Sequence, residues 1–114
     1  MGARLIVIPD VTRDGMFARV SGTLGINDKG CFTLDDRVLV VGKGSRVLPG
    51  ADSIEVADVG VVDVGTRTSG GGGYIDGVEE VERIADAMDL GDDVMACQPD
   101  GADTSLTVLD PPTP

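Results

Sequence analysis

Gly60-Val61-Val62-Asp63-Val64-Gly65-Thr66-Arg67-Thr68-Ser69-Gly70-Gly71-Gly72-Gly73-Tyr74-Ile75-Asp76, residues 60–76, divides the chain into two unlike parts. Upstream, apolar and β-branched residues alternate with turn residues in short runs, the pattern of strands and tight connections. Downstream comes the one clear helical periodicity. At the junction stand four consecutive glycines, Gly70, Gly71, Gly72 and Gly73. Lacking Cβ, they let the chain turn sharply, or let a second backbone or a ligand approach closely. The expectation is a flexible or close-packed linker between a β-rich part and a helix, with the glycines as a contact point for a ligand or partner.

Upstream, residues 5–8 form a short apolar run closed by Pro9-Asp10, and Asp14-Gly15 marks a turn. Residues 16–26 alternate as a long strand, with Met16, Ala18, Val20, Gly22, Leu24 and Ile26 on one parity. Gly22 and Gly25 within it predict a bulge or bend, as when a sheet curls into a barrel. Asn27-Asp28-Lys29-Gly30 reads as a turn, residues 31–34 as the returning strand, and Asp35-Asp36 as the next tight connection. Residues 37–41 are strongly apolar and read as a central strand, and residues 53–56 and 59–64 as two more. Six or seven strands are thus expected before the tetraglycine.

Downstream, Val78, Val81, Ile84, Ala85 and Met88 repeat at helical spacing, which predicts an amphipathic helix over residues 77–90. Asp76 as N-cap with Glu79 reaching back fits a capping box. Glu79 also lies one turn before Arg83, and Gly91 is placed to end the helix. Residues 94–97 read as strand or extended chain, residues 104–109 as a last strand at a sheet edge, and residues 110–114 as a disordered tail.

Twenty acidic residues face nine basic ones across 114 residues, a formal charge of −11. A surface of that sign repels phosphate backbones and anionic bilayers, so neither nucleic acid nor membrane is expected as partner. The length fits one domain, residues 1–109, including the helix. The opening apolar run is too short for a signal-peptide core, so the chain reads as cytoplasmic as it stands, and as exported if a leader has been removed. Cys31 and Cys97 stand either as small buried thiols in a reducing compartment or as a long-loop disulfide; no histidine is present to activate a thiolate.

Catalytic constellations are not legible. No Lys-Ser or Lys-Thr pair follows the glycines, and Glu79, Glu80 and Glu82 crowd the helix start where an anion would sit, so a phosphate loop is not expected. The acidic pairs Asp35, Asp36 and Asp92, Asp93 are candidate oxygen ligands for a hard cation. Lys43 and Arg46 form a local basic loop open to an anionic contact. No cofactor is implied.

Residues Gly22-Thr23-Leu24, Gly30-Cys31-Phe32-Thr33-Leu34, the apolar run 38–41, and Val64-Gly65 leading into Gly72-Gly73 resemble a small β-barrel domain of short actinobacterial exported proteins of unknown function. That resemblance implies a barrel of about five strands and a Cys31 available to pair with Cys97. The expected architecture is therefore mainly β: a small bent-sheet barrel of OB-like or SH3-like size carrying one amphipathic helix. The expected role is non-enzymatic, a protein-binding or assembly module contacting a protein partner or a second copy. A carboxylate- or cation-dependent small enzyme, or a small-ligand binder, is the alternative.

Overall fold

The structure, a computed structural model, describes residues 4–8, 18–35, 37–50, 52–56, 59–87, 89–98 and 104–109. In chain order the elements are β1 (Ile6–Val7), β2 (Ala18–Ile26), β3 (Phe32–Leu34), β4 (Arg37–Val41), β5 (Arg46–Val47), β6 (Ser53–Val56), β7 (Gly60–Asp63), β8 (Arg67–Asp76), α1 (Val78–Ala87), α2 (Gly91–Ala96) and β9 (Ser105–Leu109).

Strands β4, β3, β2, β8 and β9 pair in that order, and a parallel pairing of β9 with β4 closes them into a barrel. The parallel pairing of β1 with β4 adds one strand, and β5-β6-β7 form a separate antiparallel sheet. Closure overturns the edge position expected for the last strand: β9 has β8 on one side and β4 on the other. Strand β4 is central, as its apolar run predicts, because every side chain from Val38 to Val41 is at most 1 % exposed.

Two apolar clusters share the barrel wall. Inside it, Val20, Leu24, Phe32, Leu34, Leu39, Val41 and Leu109 meet Ile54, Val56 and Val62 of the small sheet. Outside it, Val38, Val40, Ile75, Leu106 and Val108 meet Val81 and Ala85 of α1 and Val94 of α2. The alternation read in β2 holds for Val20 and Leu24, but Ile26 at the strand's end is exposed. Each fully buried Leu or Val contributes roughly 1.5–3 kcal/mol.

The helix begins one residue later than a capping box at Asp76 places it. Gly77, at φ 94°, accepts the Val81 N–H with its carbonyl at 3.0 Å, so Gly77 is the N-cap. The Asp76 carboxylate instead takes the Arg37 guanidinium at 2.5 Å. Arg83 accordingly pairs with Glu80, one position nearer than expected, at 2.6 Å. That hydrogen bond holds the Glu80 carboxyl below its ordinary range. Val81 and Ala85 are buried and Ile84 packs beside them, whereas Val78 is exposed; Met88 lies outside the described residues.

Helix α1 ends without glycine. Leu90 N–H reaches the Ala85 carbonyl at 2.8 Å and Asp89 N–H the Asp86 carbonyl at 3.1 Å, with Asp89 left-handed at φ 59°. This is a Schellman turn in which aspartate takes the usual glycine position. Gly91 therefore opens a second helix rather than ending the first. Residues 94–97, read as extended, are mostly helical for a visible reason: Leu90, Val94 and Cys97 recur on one helical face, all buried. Gln98 then ties the helix to β9, its side-chain amide exchanging hydrogen bonds with Ser105 N–H at 3.1 Å and Ser105 C=O at 3.0 Å. The expected tail, residues 110–114, lies outside the described residues.

Candidate functional site

The four glycines are neither a turn nor a linker. They occupy the middle of β8, where Gly70, Gly71 and Gly72 oppose Val20, Arg19 and Ala18 of β2, and Gly72 and Gly73 oppose Leu109 and Val108 of β9. Ladder hydrogen bonds on both sides keep the segment extended despite glycine's low strand preference. The close approach that glycine permits is a backbone contact: a Cβ on Gly72 would stand 1.7 Å from the Val108 carbonyl oxygen. Glycine at this position thus serves barrel closure.

Next along β8, the Tyr74 hydroxyl accepts the Ser21 N–H at 2.9 Å and donates to the Ser21 carbonyl at 3.0 Å. It satisfies β2 beyond the point where the short β3 ends. The Arg37 guanidinium carbon lies 5.1 Å from the centroid of the Tyr74 ring, close enough for a cation–π contact.

Lys43 is exposed in the turn after β4, where Ser45 N–H meets the Gly42 carbonyl at 3.2 Å. Arg46, at the start of β5, donates Nε to Glu55 at 3.1 Å. Arg46 belongs to the small sheet and the glycines to the barrel.

The carboxylates divide likewise. Asp35, at φ 50°, closes the β3–β4 connection: its Oδ1 accepts the Thr23 N–H at 2.9 Å, and its own N–H donates to the Thr23 carbonyl at 3.1 Å. It acts as a turn residue fixed to β2; Asp36 lies outside the described residues. Asp92 and Asp93 sit in the first turn of α2 and, with Asp86, Asp89, Leu90 and Gly91, line an open depression of about 350 Å³. Asp93 also faces Arg4 at 3.5 Å. Among the described residues no group of three or more His, Cys, Asp or Glu side chains is placed to hold a metal ion.

Cys31 and Cys97 form a disulfide across 66 residues of sequence, which replaces the reading as two separate buried thiols. It joins the start of β3 to the end of α2. Asn27 supports the same junction, donating Nδ2 to the Cys97 carbonyl at 2.9 Å while its Oδ1 accepts the N–H groups of Lys29 and Cys31.

Sequence reasoning placed a strand at residues 59–64 but did not mark it as an edge. Strand β7 pairs only with β6 among the described residues, so it is an edge of the small sheet. Val62 points into the core, while Val61 is 61 % exposed and Val64 is 38 % exposed. The signal was present as a short Val-Val-Asp-Val run between Gly60 and Gly65, too brief to mark an edge without its pairing. No described helix is long and apolar enough to cross a membrane. Comparison with protein-family models, with curated proteins and with solved structures finds no match to this chain.

Proposed function

We propose that this chain is a non-enzymatic protein-binding or assembly module whose contact element is the open edge of β7. The observation that carries the reading is the edge itself, a strand with one ladder unmatched among the described residues and a valine 61 % exposed upon it. Edge strands present a row of backbone donors and acceptors that an incoming strand can complete, with side chains such as Val61 adding apolar contact. Proteins usually blunt such edges with charge, proline or a covering segment; Val61 does the reverse. The Cys31–Cys97 disulfide supports work in an oxidising compartment rather than the cytoplasm.

Native mass spectrometry of the wild type and Val61→Lys, paired with a pull-down from the source lysate, tests the reading. The expected result is an oligomer or a captured partner that Val61→Lys abolishes while the fold persists. A wild type that stays monomeric and captures nothing overturns it, as does an assembly indifferent to Val61→Lys.

A further inference from the structure

A second face of the barrel has a different chemistry. Along β2 the alternation that buries Val20 and Leu24 turns Arg19, Ser21 and Thr23 outward. The register sets Arg19 opposite Gly71, Ser21 opposite Ser69, and Thr23 opposite Arg67. Each arginine then reaches diagonally across: Arg19 Nη2 donates to Ser69 Oγ at 3.4 Å, and Arg67 Nη2 to Ser21 Oγ at 3.1 Å. Two guanidiniums therefore converge from opposite ends on one cross-strand pair of hydroxyls. Gly71 adds no side chain to the face beside them.

The charge arrangement is unusual for this chain. Arg4, Arg37, Arg46 and Arg83 each face a carboxylate. Among the described residues Arg19 and Arg67 do not, although acidic residues outnumber basic ones twenty to nine. Two like charges held at neutral hydroxyls are a site in want of an anion. We propose that Arg19, Ser21, Arg67 and Ser69 bind a single phosphate group. A phosphate monoester carries about −1.5 to −2 charges and three acceptor oxygens, which matches two guanidinium forks and two hydroxyl donors. A carboxylate brings one charge and two oxygens, and leaves part of the set unused. The net charge of −11 opposes polyanions, so the ligand is free phosphate or a small molecule bearing one phosphate group. This site is independent of the β7 edge.

Titration of the full-length ¹⁵N-labelled protein at constant ionic strength tests it, with inorganic phosphate, glycerol phosphate, acetate and chloride as separate arms. Saturable amide shifts at residues 19–23 and 67–71 are expected with the phosphates, without a matching response to acetate or chloride. Tighter binding of glycerol phosphate identifies a phosphorylated small molecule as the ligand class; equal binding identifies free phosphate. Arg19→Gln and Arg67→Gln should each weaken binding about tenfold or more, the effect of losing a charged hydrogen bond. Shifts that do not saturate, that lie elsewhere, or that acetate reproduces overturn the proposal. So does undiminished binding in the folded double variant, and if that variant fails to fold, the wild-type shift map alone decides.

Discussion

The β4–β9 wall of the barrel and the β2–β8 wall belong to one sheet, yet among the described residues only the first is covered on both faces. Val38 to Val41 and Leu106 to Leu109 are buried without interruption, inside by the barrel core and outside by α1 and α2. Parallel strands covered on both sides read as near-continuous apolar runs, as β4 does from Val38 to Val41 and β9 does but for Thr107. Along β2 burial alternates instead, and the outward positions carry arginine, serine and threonine. The covered wall supplies stability, and the uncovered one has surface available for recognition.

The largest loss of stability is expected at the disulfide. Removing it with paired Cys31→Ala and Cys97→Ala should cost about 4 kcal/mol, the loop-closure entropy of a bridge of this span, as read by urea denaturation. Hydrogen exchange should then rise first in α1 and α2, with the β2–β8 ladder still protected. Simultaneous loss of both would show that the two walls unfold as one unit. Next in size, Gly72→Ala forces a methyl into the Val108 carbonyl, and a loss of about 3 kcal/mol is expected. A drop below ~1 kcal/mol would mean that the β9 backbone yields to an inserted methyl.

Two gains should sharpen the contrast. Thr107 is fully buried on the inward parity of β9, and its Oγ1 has no hydrogen-bond partner among the described residues. Thr107→Val keeps the shape, removes the orphaned hydroxyl, and should stabilise the barrel by about 1 kcal/mol in thermal denaturation; destabilisation would reveal a buried water serving that oxygen. Asp89→Gly relieves the left-handed residue ending α1 and should add about 0.5 kcal/mol. No gain would indicate that the Asp89 carboxylate compensates its own backbone strain.

Much of the architecture was legible because burial imposes period on sequence. The β2 alternation, the β4 run and the Val81–Ala85 stripe each follow from which face meets the core. Pairing was not legible, since register between β2 and β8 depends on residues about 50 positions apart and leaves no local trace. For that reason four glycines with a poor strand propensity looked like a linker, and β9 looked like an edge. Helix α2 escaped because three apolar positions are too few to separate helix from strand. Of the candidate contacts, Lys43, Arg46 and the aspartates drew attention by local composition alone. Arg19 and Arg67 did not, because only the register makes them neighbours.

Val40 is flanked by Ile6 on one side and Val108 on the other, both in parallel pairing. The seam that completes the cylinder therefore waits for residue 109 to leave the ribosome. At a translation rate of ~5–20 residues per second, β4 spends on the order of ten seconds without that neighbour. Through that interval Leu39 and Val41 remain part of an open cradle. Closure comes only after β9 has been made, and until then the β4 ladder is open to the β9 strand of another copy.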